Sequence, residues 1–146
     1  MEFAVNDKHF VTQRAQMTGL EIREFAGLSG DHRLFCLTDG GEKAIEPGHT
    51  VAIKNGMRFK GFPSIAAFLE GPGDLGEEFA RHGINSATWD RFNLLEERGL
   101  STPALQRETQ VSSVAVHFMR TVKQCIDRYD HDVEKVRACV NGEIPP

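Results

Sequence analysis

The spacing of hydrophobic positions changes near Phe62-Pro63. Upstream, apolar residues come in short alternating runs. Downstream, they recur every three or four residues. The clearest alternating stretch is Thr50–Phe62. Val51 and Ile53 alternate with Thr50, Ala52 and Lys54, the period of a half-buried strand. Asn55-Gly56 follows, a dipeptide that tolerates the positive φ angles of a two-residue turn. Met57, Phe59 and Gly61 then fall on one face, with Arg58, Lys60 and Phe62 on the other. The pattern predicts a β-hairpin centred on Asn55-Gly56.

Phe3-Ala-Val5 and Phe10-Val-Thr12 are β-prone runs around Asn6-Asp7-Lys8-His9, and predict a first, weaker hairpin. Thr18 with Glu21 three residues on makes a capping-box pattern, and Gly27 suits the position after a helix end. A helix of two to three turns is expected between them, with Leu20, Ile22, Phe25 and Ala26 as its apolar stripe. Such a short helix is marginal alone and must lie on a sheet. Arg33–Thr38 is apolar on both faces and reads as a central strand closed by Asp39-Gly40-Gly41. Residues up to Glu46-Pro47-Gly48 read as irregular, with Ile45 an isolated apolar position. Together these elements predict a small α+β sheet with one covering helix. A β-grasp arrangement, with the first and last strands paired in parallel at the centre, is one solution.

The second half reads as helical. Short helices are expected over Ser64–Glu70, from Asp74 to Gly83, and over Ala87–Arg98 behind a Ser86 cap, with Gly99 as the stop. Trp89, Phe92 and Leu95 read as core. Thr102 precedes Pro103, the residue type favoured at a first helical position. From Val111, apolar residues recur at 114, 118, 122, 125, 129, 133, 136 and 140. That stripe predicts one continuous amphipathic helix, about 45 Å long over its 1.5 Å-per-residue rise. Asp130-His131-Asp132 is the one polar interruption. The stripe must be buried, on the preceding helices, on the open face of the sheet, or in a homodimer through the 103–140 helix.

Composition narrows the function classes. A length of 146 residues suits one domain, or a small domain with an extension. Residues 1–62 carry eight basic and eight acidic side chains, and the rest nine and thirteen, which gives the overall −4. No basic footprint for nucleic acid is present. No apolar run reaches the roughly 18 residues of a membrane span, and the first ten residues do not read as a signal peptide. Cys36, Cys125 and Cys139 are odd in number and widely spaced, so no disulfide is expected and a reduced, cytoplasmic protein is. His131 stands between two aspartates whose side chains diverge on a helix. No metal or cofactor site, nucleophile elbow or phosphate-binding loop is apparent.

Residues 1–62 resemble the bacterial multiubiquitin domains, a ubiquitin-like family. The resemblance rests on Phe3-Ala-Val-Asn6, Thr18-Gly-Leu-Glu-Ile22, Ala26-Gly-Leu28, Pro47-Gly-His-Thr-Val51 and Lys54-Asn-Gly-Met-Arg-Phe59. It implies an α+β protein: a β-grasp (ubiquitin-like) domain at 1–62 followed by an all-α extension at 63–146. It also implies association with a ubiquitin-like conjugation system, whose members include an activating enzyme, a conjugating enzyme and a metal-dependent isopeptidase. The expected role is non-enzymatic: a protein modifier joined by an isopeptide bond, or a modifier-like recognition unit. The alternative is a non-conjugated adaptor or oligomerising scaffold. A modifier presents a flexible tail ending in glycine. Gly71, Gly73 and Gly76 are the candidate tail or processing glycines, although all three also suit loop punctuation. The sequence runs on to Glu143-Ile-Pro-Pro146, so a tail would require removal of the residues behind one of them.

Overall fold

A computed structural model describes residues 1–28, 32–70, 74–96, 98–130 and 132–146. The chain divides into two compact units, Met1–Ser64 and Ile65–Pro146.

The first unit opens with β1 (Glu2–Val5) and β2 (Lys8–Val11), an antiparallel hairpin in which Val5 faces Lys8 and Phe3 faces Phe10. Asn6 and Asp7 form its turn with φ of 52° and 66°. Two consecutive positive φ angles match the twist of paired strands, so this turn closes tightly. Next come β3 (Gln16–Thr18), α1 (Gly19–Phe25), β4 (His32–Thr38), β5 (Gly41–Ala44), β6 (Thr50–Ala52) and β7 (Met57–Pro63). The main sheet has the order β2-β1-β7-β4-β5, and β3 pairs with β6 in a separate two-stranded ladder. Among the described residues, only β1 and β7 run parallel, with Phe3 beside Met57 and Val5 beside Phe59. A parallel first and last strand at the centre, flanked by antiparallel neighbours, is the β-grasp arrangement.

The hairpin expected at Asn55-Gly56 does not form. The dipeptide does turn, with Met57 N–H donating to Lys54 O at 3.2 Å, but β6 and β7 then enter different ladders. The reason is conformational. Gly56 has φ 85°, whereas Asn55 is not among the described non-glycine residues with positive φ. One positive φ at the second turn position is a type II pattern, which splays strands instead of pairing them. Two hydrogen bonds tie the turn to β1 instead: Glu2 N–H donates to Asn55 Oδ1 at 2.8 Å, and Gly56 N–H donates to Glu2 O at 2.9 Å. The centre of the sheet accordingly belongs to β7, with β4 beside it.

Thr18 caps α1 through a reciprocal capping box with Glu21, as the spacing predicts. The apolar stripe is rotated from the expected one. Ile22 is fully buried and Arg23 nearly so, while Leu20 and Phe25 stay 44% and 45% exposed. Ile22 packs with Phe3, Val5, Met17, Leu34, Cys36 and Phe59 in the core of this unit, and Ile45 belongs to that core too.

The second unit contains α2 (Ala66–Glu70), α3 (Asp74–Arg81), α4 (Ser86–Glu96), α5 (Thr102–Thr109), α6 (Ser113–Tyr129) and α7 (Val133–Val140). The continuous helix expected through 103–140 is three helices. Gln110 takes φ 59° after α5, and Asp130 takes φ 56° after α6. Ser112 and Asp132 restart the next helices by accepting bonds from Ala115 N–H and Lys135 N–H, each at 3.2 Å. Caps upstream also sit one residue earlier than expected: Asn85 Oδ1 accepts from Thr88 N–H at 2.9 Å, and Ser101 Oγ accepts from Ala104 N–H. The buried face of α6 is Ala115, Val116, Met119, Val122, Cys125 and Ile126, whereas Val114 is exposed. Phe79 of α3 meets both Trp89 of α4 and Phe118 of α6, so the stripe is satisfied within the unit.

Cys125 and Cys139 are disulfide-bonded, which overturns the expectation of three free thiols. Fourteen residues separate them in sequence, but the Asp130 break folds α7 back on α6 and brings their Cα atoms to 5.8 Å. Spacing alone could not show that reversal. Cys36 is free and buried in β4.

Candidate interaction surface

The first unit offers surface chemistry, and its side chains are placed by the sheet pleat. Residues of β1 alternate, so Phe3 and Val5 enter the core while Glu2 and Ala4 face the other way. On that second face, Ala4 lies opposite His9 of β2 and beside Arg58 of β7. A shallow depression of about 600 Å³ opens there and reaches the Asn55-Gly56 turn. Two polar pairs rim it: His9 Nδ1 lies 3.3 Å from a Glu2 carboxylate oxygen, and Arg58 pairs with Asp7 at 3.6 Å. Both pairs are solvent-exposed and worth little individually. Their value is a polar rim around Ala4.

The second feature lies at the β2 edge. Val11 is 70% exposed there, and Phe25 of α1 is half-exposed while its ring meets Phe3 and Phe10 at 5.9 and 5.8 Å. Partly exposed aromatic rings anchored in a core are rigid, and rigid rings are the commonest anchors of protein contacts.

Three titrating groups are perturbed, and each has a structural cause. The Thr18 backbone N–H, followed by the Arg14 guanidinium, holds the Glu21 carboxyl below its ordinary range. Burial pulls the Arg23 guanidinium down against the opposing charge of Glu46, and its NH2 group donates to Ile45 O at 3.3 Å. Burial pushes the Cys36 thiol up, which makes it a core side chain and a poor nucleophile. None of these groups converges with another on an open cleft.

Of the candidate glycines, Gly71 and Gly73 lie outside the described residues. Gly76 lies within α3, and a Cβ there would stand 3.0 Å from Leu69 O and 3.1 Å from Phe68 O. Its role is close packing of α3 on α2. His131 also lies outside the described residues. Trp89, Phe92 and Leu95 are core. The surface residues Val11, His9 and Arg58 were not singled out by sequence, because exposure on a sheet face appears only once strand order is known. Among the described residues, no helix is long and apolar enough to cross a membrane.

Residues 1–62 match the family model described as multiubiquitin, so this segment of the chain is a multiubiquitin-type domain. No curated protein and no solved structure matches the chain.

Proposed function

From the multiubiquitin-type domain at residues 1–62, we propose that the protein is a non-catalytic recognition unit of a bacterial ubiquitin-like conjugation system. The observation that carries this reading is the extent of the match. It spans β1 to β7, and so includes both the parallel central pair and the exposed features at β2 and the Asn55-Gly56 turn. An activating enzyme, a conjugating enzyme or an isopeptidase of such a system would read that folded surface.

Two forms of the role differ in the fate of the chain. As an adaptor, the protein keeps both units. That form is favoured by β7 ending at Pro63 with α2 starting at Ala66, and by Gly76 being packed inside α3. As a modifier, it is cut behind Gly71 or Gly73 and joined to targets through the new carboxylate. That form is favoured by Gly71-Pro72-Gly73, whose glycines lack a Cβ and admit close approach of an enzyme. Incubation with an isopeptidase and an activating enzyme of such a system, followed by intact-mass measurement, separates them. The adaptor form gives an uncut chain that still binds the activating enzyme. The modifier form gives a product ending in glycine. A chain that is neither cut nor bound refutes the proposal.

A further inference from the structure

We infer that the Cys125–Cys139 disulfide is a reversible latch that holds α7 on α6, so that thiol reduction releases the C-terminal helix. Four observations lead there. First, α7 is only eight residues long, and isolated helices of that length do not persist in water. Second, the connection from α6 passes through Asp130 at φ 56°, so no helical continuity holds α7 in place. Third, the buried residues of α7 are few, Val136 and Cys139, and one of them is the bonded cysteine. Fourth, the two sulfurs differ in access. Cys125 is fully buried on α6, whereas Cys139 lines a surface depression with Gly142, Glu143 and Ile144.

That asymmetry fixes the direction of exchange. The thiolate of a dithiol reductant reaches Cys139 Sγ from the depression and forms a mixed disulfide with it. The Cys125–Cys139 bond breaks, and Cys125 leaves as a thiolate that takes a proton. The second thiol of the reductant then attacks its own mixed-disulfide sulfur, closing the reductant to a disulfide and releasing Cys139 as a thiol. Two electrons pass from the dithiol to the protein, and a small disulfide such as oxidised glutathione reverses the process. Once the link is cut, α7 keeps one fully buried anchor, Val136, and the tail contact in which Tyr129 O–H donates to Pro145 O at 2.6 Å follows it. Cross-links that close loops of this size shift an opening equilibrium roughly a hundredfold. Opening uncovers Cys125 on the buried face of α6, so the latch governs access to that face.

The test uses the full chain with and without dithiothreitol, read by thiol alkylation and by amide exchange. Without reductant, alkylation in urea labels Cys36 alone; after native treatment with dithiothreitol it labels all three cysteines. Amides of 136–140 exchange at least tenfold faster in the reduced protein, those of 114–119 change less than twofold, and oxidised glutathione restores the slow rates. C139S gives fast 136–140 exchange in either buffer. Three thiols labelled without reductant, a bond cut only after unfolding, or α7 exchange unchanged on reduction would each overturn the inference. The wild-type comparison decides the matter even if C139S fails to fold.

Discussion

Replacing Asn6 probes the joint between the first hairpin and the central strand. Asn6 does two things there. It holds φ 52°, a left-handed conformation that costs most side chains about 1–2 kcal/mol. Its Oδ1 also accepts from Gly61 N–H at 2.8 Å, a part-buried bond across 55 residues of sequence. Asn6→Ala incurs the backbone cost and leaves the Gly61 donor without its acceptor, worth about 1–3 kcal/mol. Together the loss is about 2–5 kcal/mol. Asn6→Asp keeps a side-chain acceptor and a tolerated left-handed backbone, so it loses less than about 1 kcal/mol. The only Trp and Tyr, Trp89 and Tyr129, both lie in the second unit, so intrinsic fluorescence does not report on this joint. Native-state amide exchange at Cys36 and Phe59, in the β4–β7 ladder, does. The expected result is exchange about 30- to 5,000-fold faster in N6A, at 1.36 kcal/mol per decade, with N6D close to wild type. An N6A loss below about 0.5 kcal/mol, or an equal loss in N6D, would refute the reasoning.

Glu21→Gln tests the capping box through pH. The folded Glu21 carboxyl titrates below its ordinary 4.5, so its contribution is present above that pH and is lost as pH falls through the lower folded value. E21Q is therefore less stable than wild type at pH 7, and urea midpoints of the two converge as pH drops below 4.5; a gap that persists at low pH contradicts this. Thr18→Ala removes the acceptor for Glu21 N–H and costs about 1 kcal/mol in the same assay. Ile22→Ala opens a cavity in the first core and costs about 2–5 kcal/mol, read by exchange at Cys36 and Phe59. Gly76→Ala gains helix propensity of about 1 kcal/mol but drives a Cβ against the Leu69 and Phe68 carbonyls, so thermal denaturation followed at Trp89 shows a net loss of about 1 kcal/mol.

Local chemistry was legible where one residue decides the outcome. Thr18 with Glu21 gave the capping box, and Gly27, Gly83 and Gly99 end their helices with φ near +70°. The β-grasp order was legible through the family resemblance. Partner choice was not legible from local pattern. Asn55-Gly56 has the stronger hairpin composition, yet Asn6-Asp7 forms the paired turn, because Asn55 and Gly56 bond to Glu2 instead of closing on β6. Strands β3 and β5 lack apolar alternation because they are short and half-exposed, so they are visible only as partners of β6 and β4. The stripe through 111–140 kept its spacing across Asp130 because both helices bury that side, and a shared buried side does not require a shared axis. The disulfide followed from the same reversal. For the surface, the glycines are visible in sequence, but Gly76 proves to be a packing residue once its distance from α2 is known.

The account rests on β7 lying parallel to β1 at the centre of the first sheet. Amide-to-α-proton Overhauser contacts on isotope-labelled protein test this directly. The account predicts cross-strand contacts between Ala4 and the Met57–Arg58 segment, with Ala52 reporting contacts to Gln16. Contacts running from Ala52 to Met57–Arg58, with none from Ala4, would place β7 in an Asn55-Gly56 hairpin and contradict it.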